Sequence, residues 1–507
     1  MRRFYQQAST WFFRVCACAV LVFRIAYVAA YPYVYCHADS PTYFFTATRW
    51  LETGRLEFHY LRTPVYPVFL LVLERLAGVH LLALVQHITL AGAIVLLGWL
   101  FTRLYPGSWG RVLAGVFVLF SGFAPSQLIY ASAMLTEGVL VQALALVILC
   151  FCLWDKKPND RWLVLFSFSV ALTVLLRPGA VVLVLAAVLS ITARCRKKVL
   201  RPLAVFLVSA CVFVSGWVAY NKLHNNRLAL ANMMAMPLVH SYGHLLNMDS
   251  PRYKAEKDVI RDRYQTYMHM RQGMSDEDLL FAGGFLAWGS GSIQAMIARA
   301  FSLTEAQTES RVRALVMEGI LAHPREAARL VLQRLAALYT RTPAQMDLFY
   351  NRFINGPGPL DTSSWDMDEN SLKSQGISAA PAHEQSLRNT RAKPCLLFAS
   401  RLAPFFSRAS LGLFWASILL FPCVLFSRRA VLGLFLFAAI HANMLLLALT
   451  VPPEPRFYQP FMVMTWFLAA MEMLSVPDAW KAYAHTRRQG SPAPVSAPGT
   501  WKGRASR

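Results

Sequence analysis

The sequence predicts an all-α polytopic membrane protein of about ten transmembrane helices. Three observations carry that expectation. Of the 507 residues, 56% are hydrophobic and 15% charged, with a mean hydropathy of +0.40; a soluble chain of this size carries more charge. Apolar runs of roughly 20 residues, the length that crosses a bilayer, recur along the chain. Basic residues punctuate the ends of those runs, as the positive-inside rule requires.

The same punctuation sets aside a nucleic-acid partner. A formal net charge of +23 and a pI of about 9.9 invite that reading. The charge at the run ends is instead what a membrane topology needs, so membrane lipids are the expected partners. The long hydrophilic segment is also rich in arginine, and long loops escape the topology rule. Its charge points to phosphate-bearing lipids or an anionic acceptor. Of the nine cysteines, only Cys36 and Cys395 flank that segment. A disulfide between them is open; separate small apolar residues are the simpler reading.

In chain order, spans are expected near 12–35, 80–103, 111–129, 134–154, 161–177, 178–193, 202–220, 403–427, 430–450 and 458–476. An uncleaved first helix is preferred to a signal peptide, because its apolar stretch is long. Arg24 lies inside it and is expected to snorkel or to face other helices. Arg2, Arg3, Arg103, Arg111, Lys156, Lys157, Arg161, the cluster "RCRKK" (194–198), Arg428 and Arg429 then fall on one side, expected to be cytoplasmic. The chain divides into a transmembrane module (1–220), an extracytoplasmic segment (221–402) with a flexible loop at 355–394, C-terminal transmembrane helices (403–476) and a basic cytoplasmic tail (477–507).

The opposite face receives the loop 36–79, the turn 125–137, segment 221–402 and the stretch 451–460. In the first loop, "SPTYFFTATRWLETG" opens on Ser-Pro and closes on Gly54, a helix with both end signals. "TPVYPVFLLVLERLAG" repeats the pattern from Thr63 to Gly78. Both read as interfacial amphipathic helices. In the long segment, Ser302 and Glu305 have capping-box spacing for a helix that stops at His323-Pro324, and a second helix follows over 325–340.

On this topology Asp39, Arg62, Glu137, Arg177, Glu454 and Arg456 converge on one face from separate stretches. One such residue alone reads as an interfacial charge; acids and arginines together read as a catalytic pocket. Arginine forks grip phosphate, and a carboxylate takes the proton of an attacking hydroxyl. His59, Tyr43 and Tyr66 are further pocket candidates. The bland reading makes His59 a loop histidine, and Tyr43, Tyr66 and Trp50 interface anchors. His240 and His244 have zinc-compatible spacing but read as surface histidines.

"HADSPTYFFTATRWLETG", "RTPVYPVFLLVL", "MLTEGVL", "LTVLLRPGAVVLV" and "PPEPRFYQP" occur in that order. In these stretches the chain resembles the GT-C membrane glycosyltransferases, the group of protein O-mannosyltransferases and lipid A aminoarabinose transferases. The likeness covers about residues 1–220 and, more loosely, 430–476; segment 221–402 has no counterpart in it. The resemblance implies a polyprenyl-phosphate sugar donor, an active site on the extracytoplasmic face of a cell membrane such as the bacterial inner membrane, and inversion at the sugar carbon. It makes Asp39 the general base. It makes Arg62, Arg177 and Arg456 the candidates for the donor phosphate, and Glu137 a second acid that orients groups or helps hold a divalent cation. The acceptor stays open among lipid, glycan and protein. The sequence departs from the family at Ser40, where many members carry a second acid, so Glu137, Glu52 and Glu57 are all open as partners of Asp39. A transporter of a lipid-linked sugar, or a ligase or polymerase acting on one, are the alternatives.

Overall fold

The computed structural model describes residues 2–30, 34, 40–59, 61–78, 81–225, 228–231, 235–274, 283–287, 291–340, 382–427, 429–450 and 455–489, with the backbone alone for 382–400, 455–459 and 481–489. The described elements are helical, with no β-sheet among them. Eight helices are long and apolar enough to cross a membrane: Arg3–Ala30, Leu82–Leu104, Glu137–Lys156, Pro178–Cys195, Leu200–Asn225, Pro404–Leu425, Ala430–Thr450 and Pro460–Pro477. A bent pair makes up to nine. The chain is an integral, multi-pass helical membrane protein.

The segment between the first span and the next folds as its end signals predict. α1 (Arg2–Ala30) is followed by α2 (Ser40–Thr53) and α3 (Val65–Ala77). Gly54 and Gly78 stop these two short helices at positive φ, where a glycine is at no steric disadvantage. α2 and α3 pack on each other, and α3 buries Tyr66, Leu70 and Leu71. α4 (Leu82–Leu104) then crosses back beside α1.

The third crossing differs from the straight helix expected over 111–129. α5 (Ser108–Phe123) breaks at Ala124, and α6 (Pro125–Ser132) leaves it at 51°. Pro125 is the cause: it cannot continue the preceding helix and fits the first turn of a new one. All eight residues of α6 are buried, so 125–137 is a packed half-helix and a short turn rather than an exposed connection.

The break explains Arg24. It does not snorkel; it is fully buried and turned toward the end of α5. Its Nε donates to the Gly122 carbonyl at 2.9 Å, and one terminal nitrogen donates to the Gln127 carbonyl at 3.0 Å. The Gly122 carbonyl, freed by the helix break, thus finds a cation, which also offsets the negative end of α5's dipole and reaches on to α6. The same terminal nitrogen is 3.3 Å from His87 Nδ1, and His87 Nε2 is 2.9 Å from Ser132 Oγ. α1 approaches α5 closely: Phe12 and Cys16 face Gly115, and Val20 faces Gly122, with no room for a Cβ at either glycine.

α7 (Glu137–Lys156), α8 (Asp160–Leu176), α9 (Val182–Cys195) and α10 (Leu200–Asn225) complete the N-terminal bundle. α7 packs on α4 and α8, and α8 on α10. α8 has 17 residues, the short end of what spans a bilayer, so the expected count of about ten depends on it and on the bent pair.

The long hydrophilic segment has its own core. α11 (Ala235–Tyr242), α12 (Lys254–Arg271), α13 (Gly284–Ala287), α14 (Ile293–Ala300) and α15 (Glu305–Ala322) gather Val239, Ile260, Tyr267, Ile297, Val312 and Leu315. α15 is capped two residues later than its sequence suggests: Thr304 and Gln307, not Ser302 and Glu305, form the capping box, since Ser302 lies at φ 50° in the preceding turn. α16 (Pro324–Thr340) leads from here back to the bundle. His240 is buried and His244 half-buried, which corrects the surface reading of both. Burial and the charges of Arg271 and Arg334 lower the His244 pKa to about 3.

α17 (Ala382–Leu425), α18 (Ala430–Thr450) and α19 (Pro455–Gln489) close the bundle. α17 begins inside the stretch expected as a loop; 355–381, Cys36 and residues 490–507 lie outside the described residues, as does the Cys395 side chain. Among the described residues, three bonds join the long hydrophilic segment to α18. Tyr242 donates to the Leu449 carbonyl at 2.8 Å and Ser241 to the Thr450 carbonyl at 3.1 Å. The Tyr339 hydroxyl is 2.6 Å from His441 Nδ1.

Candidate active site

Two helix ends create the centre of the site. α8 ends at Arg177, whose extended backbone leads into the Pro178–Val181 turn. A proline next in the chain disfavours the helical conformation at Arg177 and stops α8 there. α7 begins at Glu137, whose carboxylate suits the positive end of a helix dipole. The two side chains meet: Arg177 Nη1 is 2.8 Å from Glu137 Oε1, with 14% and 4% of the side chains exposed. Thr136 donates to the other carboxylate oxygen at 3.0 Å. Gly138 follows because a Cβ there would enter the space of the Gln86 amide and the Tyr130 carbonyl.

The first external loop is fastened onto this pair at two points. Ser40 Oγ donates to the Met134 carbonyl at 3.0 Å. Thr63 Oγ1 donates to the Leu176 carbonyl at 3.3 Å. One bond lands three residues before Glu137 and the other next to Arg177. Arg62, the neighbour of Thr63, is therefore brought to the same region. Its Nε donates to Thr42 Oγ1 at 2.6 Å and one terminal nitrogen to the Tyr43 hydroxyl at 3.1 Å. Its guanidinium lies 4.1 Å from the Tyr43 ring centroid, a cation–π contact. Tyr43 meets Tyr66 edge to face at 5.2 Å. Both tyrosines are buried, so they are the wall behind Arg62 and not interface anchors.

His59 closes one side. Its ring meets Phe45 at 5.4 Å, and its Nδ1 accepts from the Leu61 N–H at 3.3 Å. Burial, and then the charge of Arg62, lowers its pKa to about 4. It is neutral near pH 7 and serves as a hydrogen-bond acceptor within the loop. Phe58 beside it packs on Trp217 and Tyr220 of α10.

Among the expected partners of Asp39, two are engaged elsewhere. Arg49 pairs with Glu57 at 3.1 Å and with Glu52 at 3.3 Å on an exposed face. Glu137 is the acid built into the buried cluster. Asp39 and Glu454 lie outside the described residues, as does the Arg456 side chain; Ser40, next to Asp39, is fastened beside the pair. Thr42, Thr63 and Thr136 were not singled out by sequence reasoning. The signal was adjacency, since each lies within three residues of a candidate site residue. Among the described residues, no group of three or more His, Cys, Asp or Glu could hold a metal ion.

The arrangement joins two arginines, one acid and an aromatic wall at the face opposite the basic helix ends. A guanidinium pair of this kind can bind a phosphate through forked N–H donors. Arg177 is already held by Glu137, so it is preorganised for that task. No protein-family model matches the chain, and no curated protein sequence matches it. Among solved structures, the crystal structure of ArnT from Cupriavidus metallidurans bound to undecaprenyl phosphate matches with a TM-score of 0.36 and 14% identity, over 96% of this chain and 81% of that one. A likeness at that level carries no argument about function.

Two predictions follow from the geometry. Glu137→Ala strands a buried guanidinium and should cost about 3–5 kcal/mol. Arg177→Ala strands the acid, and the double variant should lose less than the sum of the two. Unfolding of the purified variants in detergent reads this directly; strict additivity would mean the pair is not coupled. His59 gives a pH dependence. The unfolded chain takes up its proton near pH 6.5 and the folded loop only near pH 4. Loop stability should therefore be complete above about pH 6.5 and fall as pH drops toward 4. Amide protection factors over residues 56–62, corrected for the pH dependence of intrinsic exchange, should fall across that window in the wild type and show no such step in His59→Phe.

Proposed function

We propose that this protein is a membrane glycosyltransferase that moves a sugar from a polyprenyl-phosphate donor to an acceptor hydroxyl at the extracytoplasmic face. The observation that carries the reading is the fastening of the first external loop onto the Glu137–Arg177 pair, which gathers Arg62, Arg177 and the chain position next to Asp39.

In this reading the donor enters laterally from the bilayer. Its phosphate lies against Arg62 and Arg177, with Arg456 as a third candidate. Asp39 takes the proton of the acceptor hydroxyl as the oxygen attacks the anomeric carbon. The bond from that carbon to the phosphate oxygen breaks, and the polyprenyl phosphate leaves with the electron pair. Attack opposite the leaving group inverts the carbon. The arginines stabilise the charge that grows on the phosphate, and Glu137 keeps Arg177 aimed at it. Tyr43 and Tyr66 set the position of Arg62, and Glu454 remains a further acid of the pocket. A divalent cation is open as an additional partner of Glu137. The acceptor is a lipid, a glycan or a protein.

A second reading, transport of a lipid-linked sugar without chemistry, draws on the broken α5–α6 crossing, since broken helices recur in transporters. One comparison separates the two. Membrane glycolipids, envelope polysaccharide and glycoproteins are analysed by mass spectrometry in the wild type, a deletion, and the deletion complemented with Asp39→Asn. Transfer chemistry at Asp39 predicts a sugar lost in the deletion and not restored by the variant. Full restoration by Asp39→Asn would remove Asp39 as the base and favour the carrier.

A further inference from the structure

At the other end of the bundle, α1 and α5 start side by side on the basic face. Arg3, Gln7, Thr10 and Arg14 follow one another at spacings of four, three and four, which puts them on one stripe of α1. Arg111, in the first turn of α5, faces that stripe. With Gln6 and Trp11 they line a cavity of about 510 Å³. No acid lines it. Arg111 Nη1 is shielded from water and has no hydrogen-bond partner among the described residues. Three guanidinium groups thus converge on one space with no counter-charge among the described residues of its walls.

We propose that this cavity binds the phosphate of an anionic phospholipid of the leaflet on the basic face. The class of ligand follows from the donors: forked guanidinium N–H groups select phosphate oxygens. The lipid origin follows from the level of the site. Tyr5, Trp11 and Trp109 are 60%, 63% and 74% exposed around it, the aromatic pattern of a headgroup region. Further along, α1 exposes Val15, Val22 and Ile25, and α5 exposes Val116, apolar surface of the kind acyl chains cover. Basic pockets between spans on the cytoplasmic side are a recurrent way to hold such headgroups. The positive-inside rule accounts for arginines at helix ends. It does not account for three of them around one cavity with a shielded, unsatisfied donor.

The site is remote from Arg62 and Arg177 and stands independently of the catalytic reading. The test is native mass spectrometry of the purified full chain, titrated with phosphatidylglycerol or with phosphatidylcholine of the same acyl chains. The wild type should retain one phosphatidylglycerol in preference to phosphatidylcholine. Arg14→Gln/Arg111→Gln should weaken that binding by about tenfold or more, and Arg14→Lys/Arg111→Lys should restore part of it. Arg3→Gln, a change at an exposed helix end, should show a smaller loss and serves if the double variant does not fold. Equal affinity in wild type, Arg3→Gln and any folded double variant would overturn the proposal. Displacement of the lipid by millimolar inorganic phosphate would overturn its lipid assignment, because a free anion would then be the better ligand.

Discussion

A guanidinium that ends a helix near the edge of an apolar bundle has to be matched. Arg177 is matched by Glu137, and the two belong to different helices that reach the same face from opposite directions. Their pairing fixes the ends of α7 and α8 relative to each other. The first external loop then uses the adjacent carbonyls of Met134 and Leu176 as its attachment points. Remove the pair and the loop loses the platform on which Arg62 stands. Everything proposed for the chemistry depends on that one ion pair and the two bonds beside it.

The platform is supported from below by the break in the third crossing. α6 is a buried half-helix whose last residue, Ser132, lies against His87, and His87 lies against Arg24. A continuous polar path therefore runs from the broken end of α5 to the turn that presents Glu137. A cation deep in an apolar bundle is costly unless it is satisfied. Here the Gly122 carbonyl released by the Pro125 break, together with the Gln127 carbonyl of α6, satisfies it. The two irregularities compensate each other, which is why a charged residue in the first span and a proline-started half-helix occur together.

Much of the fold was legible because apolar runs and basic ends are local features. The loop helices α2 and α3 were legible from Ser-Pro, Gly54 and Gly78. The convergence of Arg62, Arg177 and Glu137 was legible as a shared face, since topology alone places them there. What was not legible was who holds whom. Glu52 and Glu57 looked as available as Glu137, yet Arg49 takes both on an exposed surface. Tyr43 and Tyr66 had the composition of interface anchors, yet the loop folds them inward behind Arg62. The break at Ala124 escaped hydropathy, which averages over a run and does not register a change of direction; Pro125 was its one local signal. Pairings between residues a hundred positions apart, such as Thr63 with Leu176, leave no periodic trace.

The central claim is that the loop and the two helix ends together form a receptor for a lipid phosphate. Binding of a polyprenyl phosphate to the purified protein in lipid nanodiscs tests it most directly. Wild type is compared with Arg62→Gln, with Arg177→Gln and with both. Loss of a charge-assisted phosphate contact amounts to roughly 1.5–3 kcal/mol, so each single change should weaken binding by about tenfold or more, and the double change should lose more than either. Affinity for the polyprenyl phosphate unchanged in all three folded variants would contradict the account.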